Sequence, residues 1–185
     1  MTDKKLILVG GGARSGKSRF ALTLARRLGA RRLFVATGQA KDDEMRTRIQ
    51  AHQQSRGPDF RTLEEPLALA DALREVKDVD IAVVDCLTLW LANLLLDGKS
   101  PAQIETRVRD LGDMLGRRAF HAIIVTNEVG MGIVPETPLG RVFRDVAGSA
   151  HQELSQAADE VYFAVLGTML RLKPTPAFIP WDDNA

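Results

Sequence analysis

The residues best suited to chemistry form one run near the start of the chain, Gly11-Gly12-Ala13-Arg14-Ser15-Gly16-Lys17-Ser18. This fits G-x-x-x-x-G-K-[ST] in full, the pattern of a loop that cradles nucleotide phosphates. Glycines let the backbone wrap close to an anion and aim successive N–H groups at it. The helix expected from Ser18 would add the partial positive charge of its N-terminus. In that arrangement Lys17 reaches the β- and γ-phosphates of a nucleoside triphosphate, and the Ser18 hydroxyl is a ligand for Mg²⁺. Such a loop needs an acidic partner for the metal at the end of a second buried strand. Ile81-Ala82-Val83-Val84-Asp85 supplies it. Asp85 is therefore the second Mg²⁺ candidate, with capping of the following helix as its competing role.

A second constellation lies between Asp42 and Arg56, which reads as one helix with Asp42, Asp43 and Glu44 in its first turn. Arg48, His52 and Arg56 recur at i, i+4 and i+8, so they share a face. Two flanking guanidiniums disfavour protonation of the imidazole, and a neutral imidazole is a nucleophile. The same arginines could hold a triphosphate for attack at its α-phosphorus. From spacing alone this is a weak signal, because a lone histidine near an apolar stripe is more often structural. His121, opening an apolar run, and His151, in the polar part of a long helical stretch, read as structural.

The elements that must position these residues follow from the apolar pattern. Leu6–Val9, Leu33–Ala36, Ile81–Asp85, Ala122–Thr126 and Val161–Val165 are short apolar runs without polar alternation, as expected of strands buried on both faces of a parallel sheet. Helical stretches separate them. Phe20, Leu24 and Leu28 stripe one, and Val108, Leu111 and Leu115 stripe a half-exposed one over Thr106–Leu115. This alternation predicts an α/β fold, a P-loop domain with a mostly parallel central sheet flanked by helices. Gly167 inside Val161–Lys173 predicts a hairpin that adds an antiparallel edge strand. Glu64-Glu65-Pro66 reads as a helix start with Pro66 in first position. Asn127 and Glu128 fall at the C-terminal end of a central strand, where α/β proteins bind ligands.

Composition bounds the rest. At 185 residues, with 45% hydrophobic and 26% charged residues, the chain is expected to form a single domain over 1–185, with 174–185 as a surface tail. A net charge of +1 gives no footprint for nucleic acid. The arginines at 26, 27, 31 and 32 read as a solvated helix end. No apolar run reaches the roughly 18 residues of a membrane span. The lone Cys86 sits in an apolar stretch, which suits a structural thiol in a reducing compartment, and a cytoplasmic location is expected.

With these segments in view, the sequence resembles the bifunctional adenosylcobinamide kinase / adenosylcobinamide-phosphate guanylyltransferases of cobalamin biosynthesis. The resemblance runs from about Leu6 to Lys173. It rests on the phosphate loop through Arg19, on Asp42-Asp43-Glu44-Met45 with Arg48-Ile49 and His52, and on Thr126-Asn127-Glu128-Val129-Gly130-Met131-Gly132-Ile133-Val134-Pro135-Glu136 joined to Phe143-Arg144-Asp145-Val146-Ala147-Gly148. It implies a RecA-like fold, usually a homotrimer, and two reactions. Adenosylcobinamide is phosphorylated with ATP or GTP, and GMP from GTP is then transferred to adenosylcobinamide phosphate with release of pyrophosphate. The resemblance makes His52 the residue that carries GMP covalently. It also implies guanine-nucleotide contacts at Ala36, Thr37 and Gly38, at Gln53, Gln54, Ser55 and Arg56, at Glu64 and at Asp85. The rival readings are a monofunctional P-loop kinase of a small molecule, which would release no pyrophosphate, and an assembly ATPase stimulated by a macromolecule.

Overall fold

A computed structural model describes residues 4–39 and 57–179. The proposed helix from Asp42 to Arg56, with Arg48 and His52, lies outside the described residues, as do Trp181 and the end of the tail. The chain runs through β1 (Leu6–Gly11), α1 (Lys17–Leu28), β2 (Arg32–Ala36), β3 (Phe60–Glu64), α2 (Leu69–Arg74), β4 (Ile81–Asp85), α3 (Leu87–Leu96), α4 (Pro101–Gly116), β5 (His121–Val125), α5 (Pro138–Ala157), β6 (Glu160–Val165), β7 (Thr168–Lys173) and β8 (Ala177–Ile179).

All eight strands join one sheet in the order β3-β2-β4-β5-β1-β6-β7-β8. Pairing is parallel from β3 through β6 and antiparallel at β6–β7 and β7–β8. The five apolar runs predicted as strands are β1, β2, β4, β5 and β6. Being buried on both faces, they divide their side chains by alternation. Leu6, Leu8, Ala82, Val84, Ala122 and Ile124 pack with α2, α3, α4 and α5. Ile7, Val9, Ile81, Val83, Ile123 and Val125 pack with Phe20, Ala21, Leu22 and Ala25 of α1. The sheet is thus the middle layer of three, and its burial holds both helical layers in place.

Several boundaries depart from the sequence reading. The apolar pattern does not mark β3: among the described residues it pairs with β2 alone, and beyond buried Phe60 it is mostly exposed, so it carries no apolar run. α4 starts at Pro101, ahead of the expected Thr106. Ser100 caps it by accepting from Gln103 N while the Gln103 side chain accepts from Ser100 N, a reciprocal capping box. α2 starts at Leu69, so Pro66 is not its first residue; the helix approach is held by Glu65, whose Oε1 accepts from Leu67 N and Ala68 N. The hairpin at Gly167 forms as expected, with Leu166 and Gly167 at φ 50° and 77°, the double positive φ of a type I′ turn. Its second strand is not the edge, because residues 177–179 of the presumed tail add β8 outside it.

Gly11 couples the sheet to the phosphate loop. Its φ is 150°, and a Cβ there would lie 2.6 Å from Ala164 O and 2.9 Å from Ser15 Oγ. Gly11→Ala should therefore cost about 2 kcal/mol through overpacking, read as a Tm lowered by roughly 4–8 °C. A Cβ at Gly12 meets nothing within 4 Å, so Gly12→Ala should leave Tm within about 2 °C. Equal melting of the two variants would contradict this packing account.

Candidate functional site

Strand register decides which residues meet. Ala36 pairs with Glu64 on one side and Asp85 on the other, Asp85 pairs with Val125, and Val125 pairs with Val9. One row across the sheet therefore ends in Glu64, Ala36, Asp85 and the entry to the phosphate loop, all at the C-terminal ends of parallel strands. Within that row the candidates are not equidistant. Glu64 is four strand spacings from β1, about 19 Å, and Asp85 is two, about 10 Å.

The phosphate loop forms between β1 and α1 as the sequence predicts. Gly16 takes φ 90° at the helix N-cap, a left-handed conformation suited to glycine, and no side chain caps the helix there. The first turn of α1 carries no acid, so its N–H groups and partial positive charge face an anion site undiminished. Gly12, Ala13 and Arg14 are exposed, while Ser15, Gly16 and Ser18 are half-buried. The buried Ser15 Oγ has no hydrogen-bond partner among the described residues. Lys17 is 7% exposed and donates from Nζ to Gly12 O at 2.9 Å. Burial pushes its ammonium below the ordinary lysine value, and the charge of Asp85 opposes that shift. A phosphate entering the loop would supply the countercharge that burial makes favourable.

Asp85 shares the α1-facing side of β4 with Ile81 and Val83. The N-cap of α3 is Cys86, whose side chain makes no cap bond, and Asp85 stands directly before it. Ser18 and Asp85 offer the hard oxygen donors that Mg²⁺ takes, with nucleotide phosphates and water completing an octahedron. Among the described residues no group of three His, Cys, Asp or Glu forms a metal cage. A metal arriving with the nucleotide fits that donor set better than a resident ion.

A buried polar network fixes the strand ends behind this row. Thr37, fully buried, accepts at Oγ1 from Cys86 N and donates from it to Cys86 O, both at 2.8 Å. Asn93 Nδ2 donates to Thr37 O at 2.7 Å. Asn127 Nδ2 donates to Thr88 Oγ1 at 2.9 Å, and Cys86 Sγ lies 3.2 Å from the same hydroxyl. The side chain of Thr37 is thus engaged in joining β2 to β4. Ala36 and Gly38 beside it are half-buried, and Glu64 is exposed. Gln53, Gln54, Ser55 and Arg56 lie outside the described residues.

One grouping escaped the sequence reading. His151 on α5 packs its Nε2 2.7 Å from Thr126 Oγ1 and its Nδ1 3.8 Å from Glu128 Oε2. Burial lowers its pKa below the ordinary histidine value, against the pull of Glu128. Spacing gives no sign of this contact, which is made across 25 residues by the return of α5. The other described histidine, His121, is structural as expected: it is buried, and its Nδ1 accepts from Lys5 N at 3.1 Å.

The fold and the loop define a P-loop nucleotide-binding protein of RecA-like architecture. Solved structures agree at the level of fold: the flagellar accessory protein FlaH of Methanocaldococcus jannaschii has TM-score 0.52 at 14% identity, covering 92% of this chain and 79% of that one. The RadB recombinase has TM-score 0.54 at 15% identity, covering 95% and 83%. Sequence comparison is more specific. Residues 7–172 match the cobinamide kinase / cobinamide phosphate guanyltransferase family, and the chain belongs to it. It is 45% identical over 170 residues to the bifunctional adenosylcobalamin biosynthesis protein CobP of Pseudomonas aeruginosa, covering 91% of this chain and 98% of the relative. It is 39% identical to the bifunctional adenosylcobalamin biosynthesis protein CobU of Escherichia coli, covering 91% and 99%.

The Cys86 thiol lies inside the polar network, and burial, with the neighbouring Asp85 charge, pushes it up to about 11. At pH 8 only about one thiol in a thousand would be thiolate, so iodoacetamide should leave native protein unmodified and alkylate Cys86 on denaturation. Rapid alkylation of the folded protein at pH 8 would contradict the closed network.

Proposed function

We propose that the chain performs both reactions for which its family is named. It phosphorylates adenosylcobinamide with ATP or GTP, then transfers GMP from GTP to the phosphate so formed. The observation that carries this reading is a complete phosphate loop, folded between β1 and α1 with its lysine buried, in a chain matching the family over residues 7–172.

In the first reaction Lys17 and the α1 N-terminus hold the transferring phosphate and stabilise the charge that spreads over its oxygens. Mg²⁺ held by Ser18 and Asp85 would neutralise the phosphate charge. In the second, a nitrogen of His52 attacks the α-phosphorus of GTP and pyrophosphate leaves. An oxygen of adenosylcobinamide phosphate then attacks the same phosphorus and frees the imidazole. Arg48 and Arg56 flank His52 at helical spacing and would hold the triphosphate. The row of strand ends from Glu64 through Ala36 to Asp85 supports guanine-nucleotide contacts there, and Thr37, Gly38 and Gln53 to Arg56 complete the proposed set.

Among the described residues no helix is long and apolar enough to cross a membrane. A cytoplasmic location is proposed, supported by a sequence whose single cysteine, Cys86, is buried and forms no disulfide within the chain. A homotrimer is proposed as well. The exposed apolar side chains of Val165, Leu166 and Leu172 on the β6–β7 hairpin support a subunit contact.

Lys17→Ala should lower the kinase kcat by about 100-fold or more while the circular dichroism stays that of the wild type. Wild-type phosphorylation in the folded variant would remove Lys17 from the site. GTP labelled at the α-phosphate should leave acid-labile, alkali-stable label on the protein. His52→Ala should lose label and guanylyl transfer yet keep most of the kinase reaction. Undiminished labelling of His52→Ala would place the nucleophile elsewhere.

A further inference from the structure

The kinase reaction needs a group to take the proton of the attacking hydroxyl, and neither Lys17 nor Asp85 is free for it in the proposed function: one holds phosphate, the other metal. We propose that the Glu128 carboxylate is that proton acceptor, held in place by His151. The proposal rests on the kinase reading above and adds a residue to it.

Three observations place Glu128. The β5–β1 ladder continues past β5: Thr126 N donates to Val9 O at 2.9 Å and Glu128 N to Gly11 O at 3.0 Å. Glu128 is therefore tied by its backbone to the first residue of the phosphate loop. Its side chain turns to the α5 side of the sheet, away from α1. There it lines a cavity of about 250 Å³ together with Gly10, Thr126, His151, Tyr162 and Phe163. The cavity extends along the α5 side of β1 and β6 to Leu8, Val161 and Leu172, and Gly10, which precedes the phosphate loop, lines it, so an acceptor seated there would have its hydroxyl next to the strand end that carries the loop. Finally, the loop that follows exposes Met131, Ile133 and Val134 at 81%, 97% and 56%. An apolar surface of that kind suits a large amphipathic acceptor better than water alone.

The carboxylate is fixed but not neutralised. Oε1 accepts from Gly130 N, and Oε2 faces His151 Nδ1 at 3.8 Å. Among the described residues no lysine or arginine lies within ion-pair distance of it, and the side chain keeps 25% exposure. A base must be ionised, reachable and unpaired with a permanent cation. His151 is a positioning residue: Thr126 Oγ1 holds one ring nitrogen, and the other faces the carboxylate.

The step balances without a further reactant. The acceptor O–H breaks with its proton moving to Glu128, the oxygen bonds to the γ-phosphorus, and the bridging P–O bond breaks to release the nucleoside diphosphate. The proton then leaves to solvent through the cavity. The second reaction differs in one respect. Its acceptor is a phosphate that is already ionised, so it brings no hydroxyl proton for Glu128 to accept.

That difference supplies the test. In the full-length protein, Glu128→Gln should lower kinase kcat by about 100-fold or more with the KM for ATP within about threefold. Guanylyl transfer from GTP to adenosylcobinamide phosphate should remain within about threefold of wild type. Added formate should restore kinase turnover to Glu128→Ala, and not to Lys17→Ala, because a small carboxylate can occupy the space left. Kinase kcat in Glu128→Gln above about one third of wild type would overturn the proposal. So would parallel loss of both reactions, or a Glu128→Ala kinase indifferent to formate. A wild-type protein that phosphorylates no adenosylcobinamide would instead remove the function itself, and this proposal with it.

Discussion

The arrangement depends on the register of the parallel ladder that links β4, β5 and β1. Ile81 to Asp85 pair in step with His121 to Val125, and Ala122 to Val125 pair in step with Leu6 to Val9. Because strand side chains alternate, this register puts Asp85 on the α1 side and Thr126 on the α5 side. A one-residue slip would send Asp85 to the opposite face and bury a carboxylate among leucines. The apolar runs on either side of the pleat make that slip prohibitive, since each buried Val, Leu or Ile contributes roughly 1.5–3 kcal/mol. Packing of the core and alignment of the site are consequences of the same pairing.

The two faces of the sheet then serve different ends. On one face, among the described residues, α1 is the helix that packs over β4, β5 and β1, and its N-terminus carries the phosphate loop. On the other, α3, α4 and α5 form a helical layer anchored by Trp90, Ile104, Leu111 and Leu154. The return of α5 across that layer delivers His151 to Thr126 and Glu128. Between the faces, at the strand ends, Thr37, Cys86, Thr88, Asn93 and Asn127 satisfy one another's hydrogen bonds. A buried network with its partners in place is rigid, and it holds the row of candidate ligands at fixed separations.

Local chemistry was legible in the sequence where a motif lies within one turn of chain. The phosphate loop, Asp85 at the end of a buried run and the Gly167 hairpin all have this character, and all three adopt the expected structure. β3 was not legible, because it pairs with β2 alone and buries only Phe60 fully, so no apolar run marks it. The start of α4 was readable in principle from Ser100 and Gln103, a capping pair that the periodic stripe from Val108 obscures. His151 was read as structural because helix position says nothing about a residue 25 positions earlier; only the packing of α5 on the sheet brings them together. The separation of Glu64 from the phosphate loop is likewise a matter of strand order, which no spacing along the chain encodes.

The central claim is that one chain supports two successive transfers to one acceptor, the first at the phosphate loop. Phosphorus NMR of the protein with adenosylcobinamide, ATP, GTP and Mg²⁺ follows both transfers at once. The account predicts a phosphomonoester signal first. A diphosphate diester should then replace it, accompanied by one equivalent of pyrophosphate per diester formed. Accumulation of the phosphomonoester with no pyrophosphate, at any GTP concentration, would contradict it.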